Sequence, residues 1–189
     1  MKPTAHAVSV ARPVFHARAG GFTMVELITV IIVIGILGAI GATRFFDSNT
    51  AQNRAFADQV KALVRQAQKL AIAQNRNVFV RARPSGFAVC FTSTCNDIVS
   101  LAVAPGGSNS GATRTRSFCT LDGAYVQRWL CEGTPTQVTV DGAGTDFFFD
   151  PLGRPANMDG SGYSRLRWTM NSGASKFQIS VEQESGYVY

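Results

Sequence analysis

An apolar run extends from Phe22 to Ala42 and contains one charged residue, Glu26. Folded as a helix, this run would be roughly 30 Å long, which is the thickness of the hydrocarbon core of a bilayer. The preceding residues 1–21 carry three basic side chains and no acidic one. Because basic flanks remain in the cytoplasm, we expect a single membrane-spanning helix with its N-terminus inside and the rest of the chain exported.

Glu26 argues against both ordinary interpretations of such a run, a secretory signal peptide and a plain signal anchor. An ionised carboxylate in a spanning helix costs about 2.5 to 3.5 kcal/mol on insertion scales. The small residues Gly20 and Gly21 also precede the apolar run, whereas a secretory cleavage site follows it.

The residues from Gly21 to Glu26, GFTMVE, followed by an unbroken apolar helix, resemble the class III signal of type IV prepilins and type II secretion pseudopilins. The resemblance implies that prepilin peptidase, a membrane aspartyl enzyme, cuts between Gly21 and Phe22 and methylates the amine of Phe22. It implies that Glu26 pairs with the Phe22 amine of a neighbouring subunit, although Glu26 also suits the N-terminus of its own helix. The implied partners are the peptidase, other pilin or pseudopilin subunits, an inner-membrane assembly platform and membrane lipid.

The expected organisation is a cleaved leader over 1–21, a transmembrane or filament-core helix over 22–43, its amphipathic continuation over 44–76 and a β-rich globular domain over 77–189. In the continuation, apolar residues step by four and three and so share one helix face: they are Phe56, Val60, Leu63, Ala67 and Leu70.

A basic row lies on another face of this helix and contains Arg54, Lys61, Arg65 and Lys69. Two interpretations stay open for the row. It is a solvated face, or it meets acidic residues of neighbouring subunits such as Asp141, Asp146 and Asp150.

The remainder predicts short strands separated by turn residues. They are expected at 78–83, 87–92, 98–104, 125–130, 137–140, 147–149, 165–169 and 177–181, with a flexible loop over 105–111. The predicted fold is α+β, a long N-terminal helix, transmembrane in its first half, packed on an antiparallel sheet as in pilins.

All four cysteines lie in the domain expected to be exported, where disulfides form. Four cysteines allow three pairings. Short local loops favour Cys90 with Cys95 and Cys119 with Cys131. The alternative is a zinc site, but the spacings C-x4-C and C-x11-C suit zinc poorly.

Both histidines, His6 and His16, fall in the leader, so the mature chain would contain no imidazole. This excludes Ser/His/Asp and Cys/His catalysis, and no Gly-rich phosphate loop is evident. We therefore expect no enzyme, no cofactor and no metal. The net charge of +6 resides in the leader and the helix; residues after Arg83 carry seven basic and nine acidic side chains, which argues against a nucleic-acid partner.

The segment FFFDPLGRP, residues 147–155, is similar to one in minor pilins and pseudopilins of the H-like group, and the closing residues 177–189 resemble subunits of mannose-sensitive haemagglutinin-type pili. Some H-like minor pilins bind DNA through a Gly-Arg-x-Arg loop. This chain has the first arginine, Arg154, but not the second, and Arg165 and Arg167 are the candidates to replace it.

The function implied is that of a structural minor pilin or pseudopilin, at the priming tip or within the shaft of a type IV pilus or type II secretion pseudopilus. Its expected location is the inner membrane, with the C-terminal domain periplasmic, and then the filament. The alternatives are a DNA-binding minor pilin for competence and a membrane-anchored periplasmic binding protein.

Overall fold

The computed structural model describes residues 22–46, 48–163 and 165–189. The leader over 1–21, with Gly21, lies outside the described residues. The chain divides into two compact units, Met1–Thr43 and Arg44–Tyr189.

The described part of the first unit consists almost entirely of helix α1, Met24–Phe46. Thr23 caps it: the backbone N–H of Glu26 donates to Thr23 Oγ1 at 3.2 Å, as expected for a threonine at the N-cap with a glutamate three residues later. Among the described residues, no helix has the length and hydropathy that a membrane span requires.

Helix α2, Ser48–Gln74, lies in the second unit, which begins within the last turn of α1. Whether it continues from α1 depends on Asp47, which lies outside the described residues. The predicted apolar stripe is buried as expected, with Leu70 half-buried at its end. Asn75 ends the helix in the left-handed conformation, with φ 50°. The N–H of Arg76 then donates to the carbonyl of Ala71 at 3.2 Å, which completes a C-terminal cap.

The strands and a short helix follow in chain order. They are β1 (Val78–Arg83), β2 (Gly86–Cys90), α3 (Thr113–Phe118), β3 (Thr120–Leu121), β4 (Ala124–Tyr125), β5 (Cys131–Gly133), β6 (Thr139–Asp141), β7 (Phe147–Phe149), β8 (Pro155–Asn157), β9 (Leu166–Ser172) and β10 (Ser175–Val181).

These strands form a five-stranded sheet with the order β5-β2-β1-β7-β8, a three-stranded sheet with the order β10-β9-β6, and the small pair β3-β4. Every pairing between named strands is antiparallel. Helix α2 packs against strands of both larger sheets. The α+β prediction, a helix packed on antiparallel strands, is confirmed.

The core lies between α2 and the two larger sheets. Its centre is aromatic: the ring of Trp168 on β9 lies 5.3 Å from that of Phe87 and 5.8 Å from that of Phe147. A second buried cluster contains both disulfides and Trp129. Successive side chains of a strand face opposite ways, and β2 accordingly contributes Phe87 to the first cluster and Ala88 to the second.

Two local predictions were wrong. Residues 98–104 do not form a strand, because Asp97 caps a 3₁₀ turn over Ile98–Ser100 by accepting from the N–H groups of Val99 and Ser100. Within 125–130, Tyr125 alone belongs to a strand. In the loop over 105–111, Asn109 Nδ2 donates to the carbonyl oxygens of Val126 (3.2 Å) and Trp129 (3.3 Å).

Candidate assembly surfaces

The apolar surface of α1 is exposed along residues 24–38. Over residues 22–38 every side chain is exposed, and the large apolar ones range from 45% at Val30 to 83% at Met24. Gly35 and Gly38 meet nothing within 4 Å of an added Cβ, so neither is needed for packing within this unit. A contiguous apolar surface of this kind marks a site of interaction with a membrane or with other proteins.

Glu26 lies in the first turn of α1 and is exposed. Its carbonyl accepts from Thr29 Oγ1 at 2.9 Å, and its carboxylate stands where the partial positive charge of a helix N-terminus favours an acid. Phe22, the predicted methylated residue, is 80% exposed. Both groups are therefore accessible to another subunit, and their pairing stays a prediction.

The structure contains the disulfides Cys90–Cys95, with Cα atoms 5.5 Å apart, and Cys119–Cys131, with Cα atoms 5.9 Å apart. These are the two pairs that short loops favoured. The sulfur atoms are bonded to each other and so do not act as metal ligands. In the described ranges, no group of His, Cys, Asp or Glu side chains is arranged to hold a metal ion.

Arg154 closes the turn between β7 and β8. Its Nε donates to Asp150 Oδ2 at 3.0 Å, and Nη2 lies 3.0 Å from the same oxygen in an ion pair. The other carboxylate oxygen of Asp150 accepts from the backbone N–H groups of Leu152 and Arg154, each at 2.9 Å. The charge of Arg154 is thus engaged within its own turn.

The other two candidate DNA contacts are exposed. Arg165 is exposed in the connection before β9, and Arg167 is exposed on β9 itself. When the Gln178 amide is oriented so that its oxygen and its nitrogen both have suitable partners, the oxygen accepts from Arg167.

The β7–β8 turn is fastened to α2 by Gln68. Its Nε2 donates to the carbonyl oxygens of Gly153 (2.9 Å) and Ser185 (2.8 Å), so one side chain holds both the turn and the C-terminal segment. Gly153 has φ 80°, and a Cβ there would lie 2.7 Å from Cδ1 of Ile72. A Cβ on Gly186 would overlap the carbonyl oxygen of Gly153. Close approach explains both glycines.

The basic row on α2 is not uniform. Arg54 and Lys69 are exposed and Lys61 is half-buried. Arg65 donates to the carbonyl oxygen of Val188 through Nε (3.2 Å) and Nη2 (2.8 Å), and its guanidinium lies 6.0 Å from the centre of the Tyr187 ring. Arg65 thus anchors the C-terminus of its own subunit.

The acidic residues suggested as partners for that row have partners within the subunit. Asp146 accepts from Nη2 of Arg83 at 2.7 Å, and Asp150 accepts from Arg154. Asp141 accepts from Nδ2 of Asn171 at 2.9 Å. These contacts weaken the interpretation that the three acids face basic residues of a neighbour.

Polar residues that the sequence analysis did not single out hold the domain together. Asn53 is fully buried, and its Nδ2 donates to the carbonyl oxygens of Met170 (3.1 Å) and Ser175 (3.2 Å). Glu132 accepts from the backbone N–H of Ser110 at 2.8 Å and from Thr115 Oγ1 at 2.8 Å. The sequence did contain a signal that Asn53 is buried, because Asn53 lies one turn before Phe56 on the apolar stripe.

Comparison with known proteins identifies the class. No protein-family profile matches the chain. A curated protein of Thermus thermophilus, the type IV narrow pilus major component PilA5, is 38% identical over 100 residues, which cover 53% of this chain and 72% of that protein. The chain therefore belongs to the type IV pilin family.

Two crystal structures of the type IV minor pilin FimU of Pseudomonas aeruginosa are also similar in part. They share 12% identity with this chain, with TM-scores of 0.45 and 0.42. The matched regions cover 76% and 72% of this chain and 90% of each FimU chain.

Proposed function

We propose that this protein is a structural subunit of a type IV pilus, made as a prepilin and processed by prepilin peptidase between Gly21 and Phe22. The observation that carries the proposal is the exposed apolar surface over residues 22–38 in a chain of the pilin family. The subunit has no catalytic role and works by assembly.

The proposed mechanism follows from where that surface can be buried. Before assembly, the apolar run of residues 22–43 would be held in the inner membrane, with the C-terminal domain in the periplasm. During assembly, the platform in the inner membrane transfers α1 from lipid to a bundle of like helices. Lipid tails are as apolar as the helix, so close packing and polar pairing between helices favour the filament.

Glu26 supplies the polar pairing in this mechanism. Cleavage after Gly21 creates a positively charged amine at Phe22, and a carboxylate away from water is tolerated when it meets such a cation. The pairing of Glu26 with the Phe22 amine of a neighbour would fix the register between the two helices.

A pilus is favoured over a secretion pseudopilus because the curated relative is a pilus component. Uptake of DNA is disfavoured by the ion pair that engages Arg154 within its turn. A position at the tip and a position along the shaft are both compatible with the exposed surface of α1.

Processing is tested by expressing the full chain with and without a prepilin peptidase and measuring intact mass. The expected product has lost residues 1–21 and gained one methyl group. Gly21→Val should keep the full mass, whereas the matched control Gly20→Val should be processed. Full mass in the presence of an active peptidase, or normal processing of Gly21→Val, would contradict the proposal.

A further inference from the structure

We propose that an apolar groove on the second unit, between residues 98–103 and 126–129, receives Tyr187 of a second copy of this chain. The inference rests on the proposed pilus function and adds a contact between globular domains. It begins from two exposed apolar surfaces, one beside the five-stranded sheet and one on the C-terminal segment beside the three-stranded sheet.

The groove has a volume of about 490 Å³ and an apolar lining, to which Ile98, Val103, Val126 and Trp129 contribute. Ile98 is 60% exposed and Val103 is 51% exposed. Trp129 forms part of its floor, where its indole N–H is satisfied by the carbonyl oxygen of Val89 at 2.9 Å. A groove of this size is adequate for an aromatic side chain.

The groove wall is held in place before any partner arrives. The Cys90–Cys95 disulfide immediately precedes it. Asp97 Oδ1 accepts from the backbone N–H groups of Val99 (3.1 Å) and Ser100 (2.9 Å), and buried Ser100 donates its hydroxyl back to the carbonyl of Asp97. This turn leaves Val99 85% exposed. Because the wall is already ordered, binding loses little conformational entropy.

The second exposed surface is the aromatic pair at the C-terminus. The rings of Tyr187 and Tyr189 are stacked, with centroids 6.1 Å apart and an interplanar angle of 17°. They are 59% and 49% exposed. Tyr187 is also supported from behind by the guanidinium of Arg65. Tyrosines held in this way are typical anchors of protein interfaces.

Charge complementarity favours a second copy of this chain as the occupant of the groove. Arg128 lines the groove, and in the described part of the chain its guanidinium has no acidic partner. Glu182 and Glu184 are exposed in the turn that leads to Tyr187, and the described residues give them no basic partner either. Docking of Tyr187 would therefore bring acids of one subunit toward the arginine of the next.

Topology explains why such a contact would propagate. The groove adjoins β2 and β5 at one edge of the five-stranded sheet, since Leu101 bridges Cys90 and Val103 bridges Trp129. The C-terminal segment lies beside β10, the edge strand of the three-stranded sheet, where Val188 bridges Val181, and it approaches the β7–β8 turn at Gly186. Two unlike surfaces that bind each other form a heterologous contact, which extends into an open filament when the rotation does not close a ring.

The contact is tested by replacing Tyr187 with benzoylphenylalanine in the full chain, irradiating cells that display filaments, and mapping cross-linked peptides by mass spectrometry. The expected product joins position 187 to residues 98–103 or 126–129 of another copy. The same probe at exposed Lys176 is the control and should not label the groove. Cross-links from position 187 to other proteins, or to other parts of the chain alone, would overturn the inference.

Charge reversal gives a second readout. Arg128→Glu should lower incorporation into filaments about tenfold, and combining it with Glu182→Lys and Glu184→Lys should restore incorporation. Arg165→Glu, which reverses an exposed charge elsewhere, should have little effect. Normal incorporation of Arg128→Glu, or no rescue by the combined variant, would contradict the docking. Absence of the unmodified chain from filaments would instead contradict the pilus function itself.

Discussion

Gln68 joins three parts of the second unit, because one amide on α2 donates to carbonyl groups of both the β7–β8 turn and the C-terminal segment. We expect Gln68→Ala to lower the free energy of unfolding by about 1 to 3 kcal/mol, since it leaves two acceptors without this donor. Urea unfolding of the full chain in detergent, followed by tryptophan fluorescence, measures the change. Gln52→Ala, at an exposed position of the same helix, is the control and should change stability little. Equal stability of the two variants would show that the turn does not depend on Gln68.

Gly153 and Gly160 have nearly the same backbone conformation, with φ 80° and 85°, but different surroundings. An added Cβ meets Ile72 at Gly153 and open space at Gly160. Both alanine variants should lose about 1 kcal/mol or more from the left-handed backbone, and Gly153→Ala should lose more because of the contact.

The contact is isolated by combining Gly153→Ala with Ile72→Val, which removes the nearest carbon atom. Thermal unfolding of the single and double variants should show partial recovery in the double variant. Equal losses for Gly153→Ala and Gly160→Ala would argue against close packing of the turn on α2.

At the scale of elements, the two disulfides close loops of different length. Cys119 and Cys131 are 12 residues apart and join the residue after α3 to β5, whereas Cys90 and Cys95 are 5 apart. The chain-entropy model predicts that the longer loop contributes about 0.8 kcal/mol more. Unfolding of the paired serine variants should therefore show the larger loss for Cys119→Ser with Cys131→Ser. The opposite order would indicate that the Cys90–Cys95 link stabilises the turn after Asp97 beyond its effect on the unfolded chain.

Elements whose apolar residues recur with a clear period were predictable from the sequence. Elements whose conformation depends on a single contact were not. The stripe from Phe56 to Leu70 predicted the buried face of α2, and the turn at 84–86 predicted the β1–β2 hairpin. The 3₁₀ turn after Asp97 was missed because β-branched residues there favour a strand, while one carboxylate cap decides the outcome. Strand β8 was missed because it starts at Pro155, which a sheet accepts at its edge.

The assembly surfaces also include features that could be predicted from the sequence and features that could not. The exposed apolar helix was evident from composition alone. The internal partners of Arg65, Arg154 and Asp146 were not, because each depends on residues distant in sequence or on turn geometry. A row of charges along a helix does not show which members are already engaged.

At the level of the assembled filament, substitution of Glu26 should affect assembly but not processing. We expect Glu26→Ala to be cleaved after Gly21 but to enter filaments poorly, since the proposed pairing with the Phe22 amine of a neighbour could not form. Glu26→Asp should recover part of the incorporation because it keeps the charge. Intact mass reports cleavage, and immunoblotting of sheared filaments reports assembly. Normal assembly of Glu26→Ala would restrict this residue to stabilising its own helix.

The central claim is that this chain is a filament subunit whose α1 is buried among like helices. Cryo-electron microscopy of filaments sheared from cells that express the chain tests it most directly. The account predicts subunits that begin at methylated Phe22, with α1 in the filament interior and the β-rich domain outside. Filaments that lack the chain, or that contain it with residues 1–21 retained or with α1 on the surface, would contradict the account.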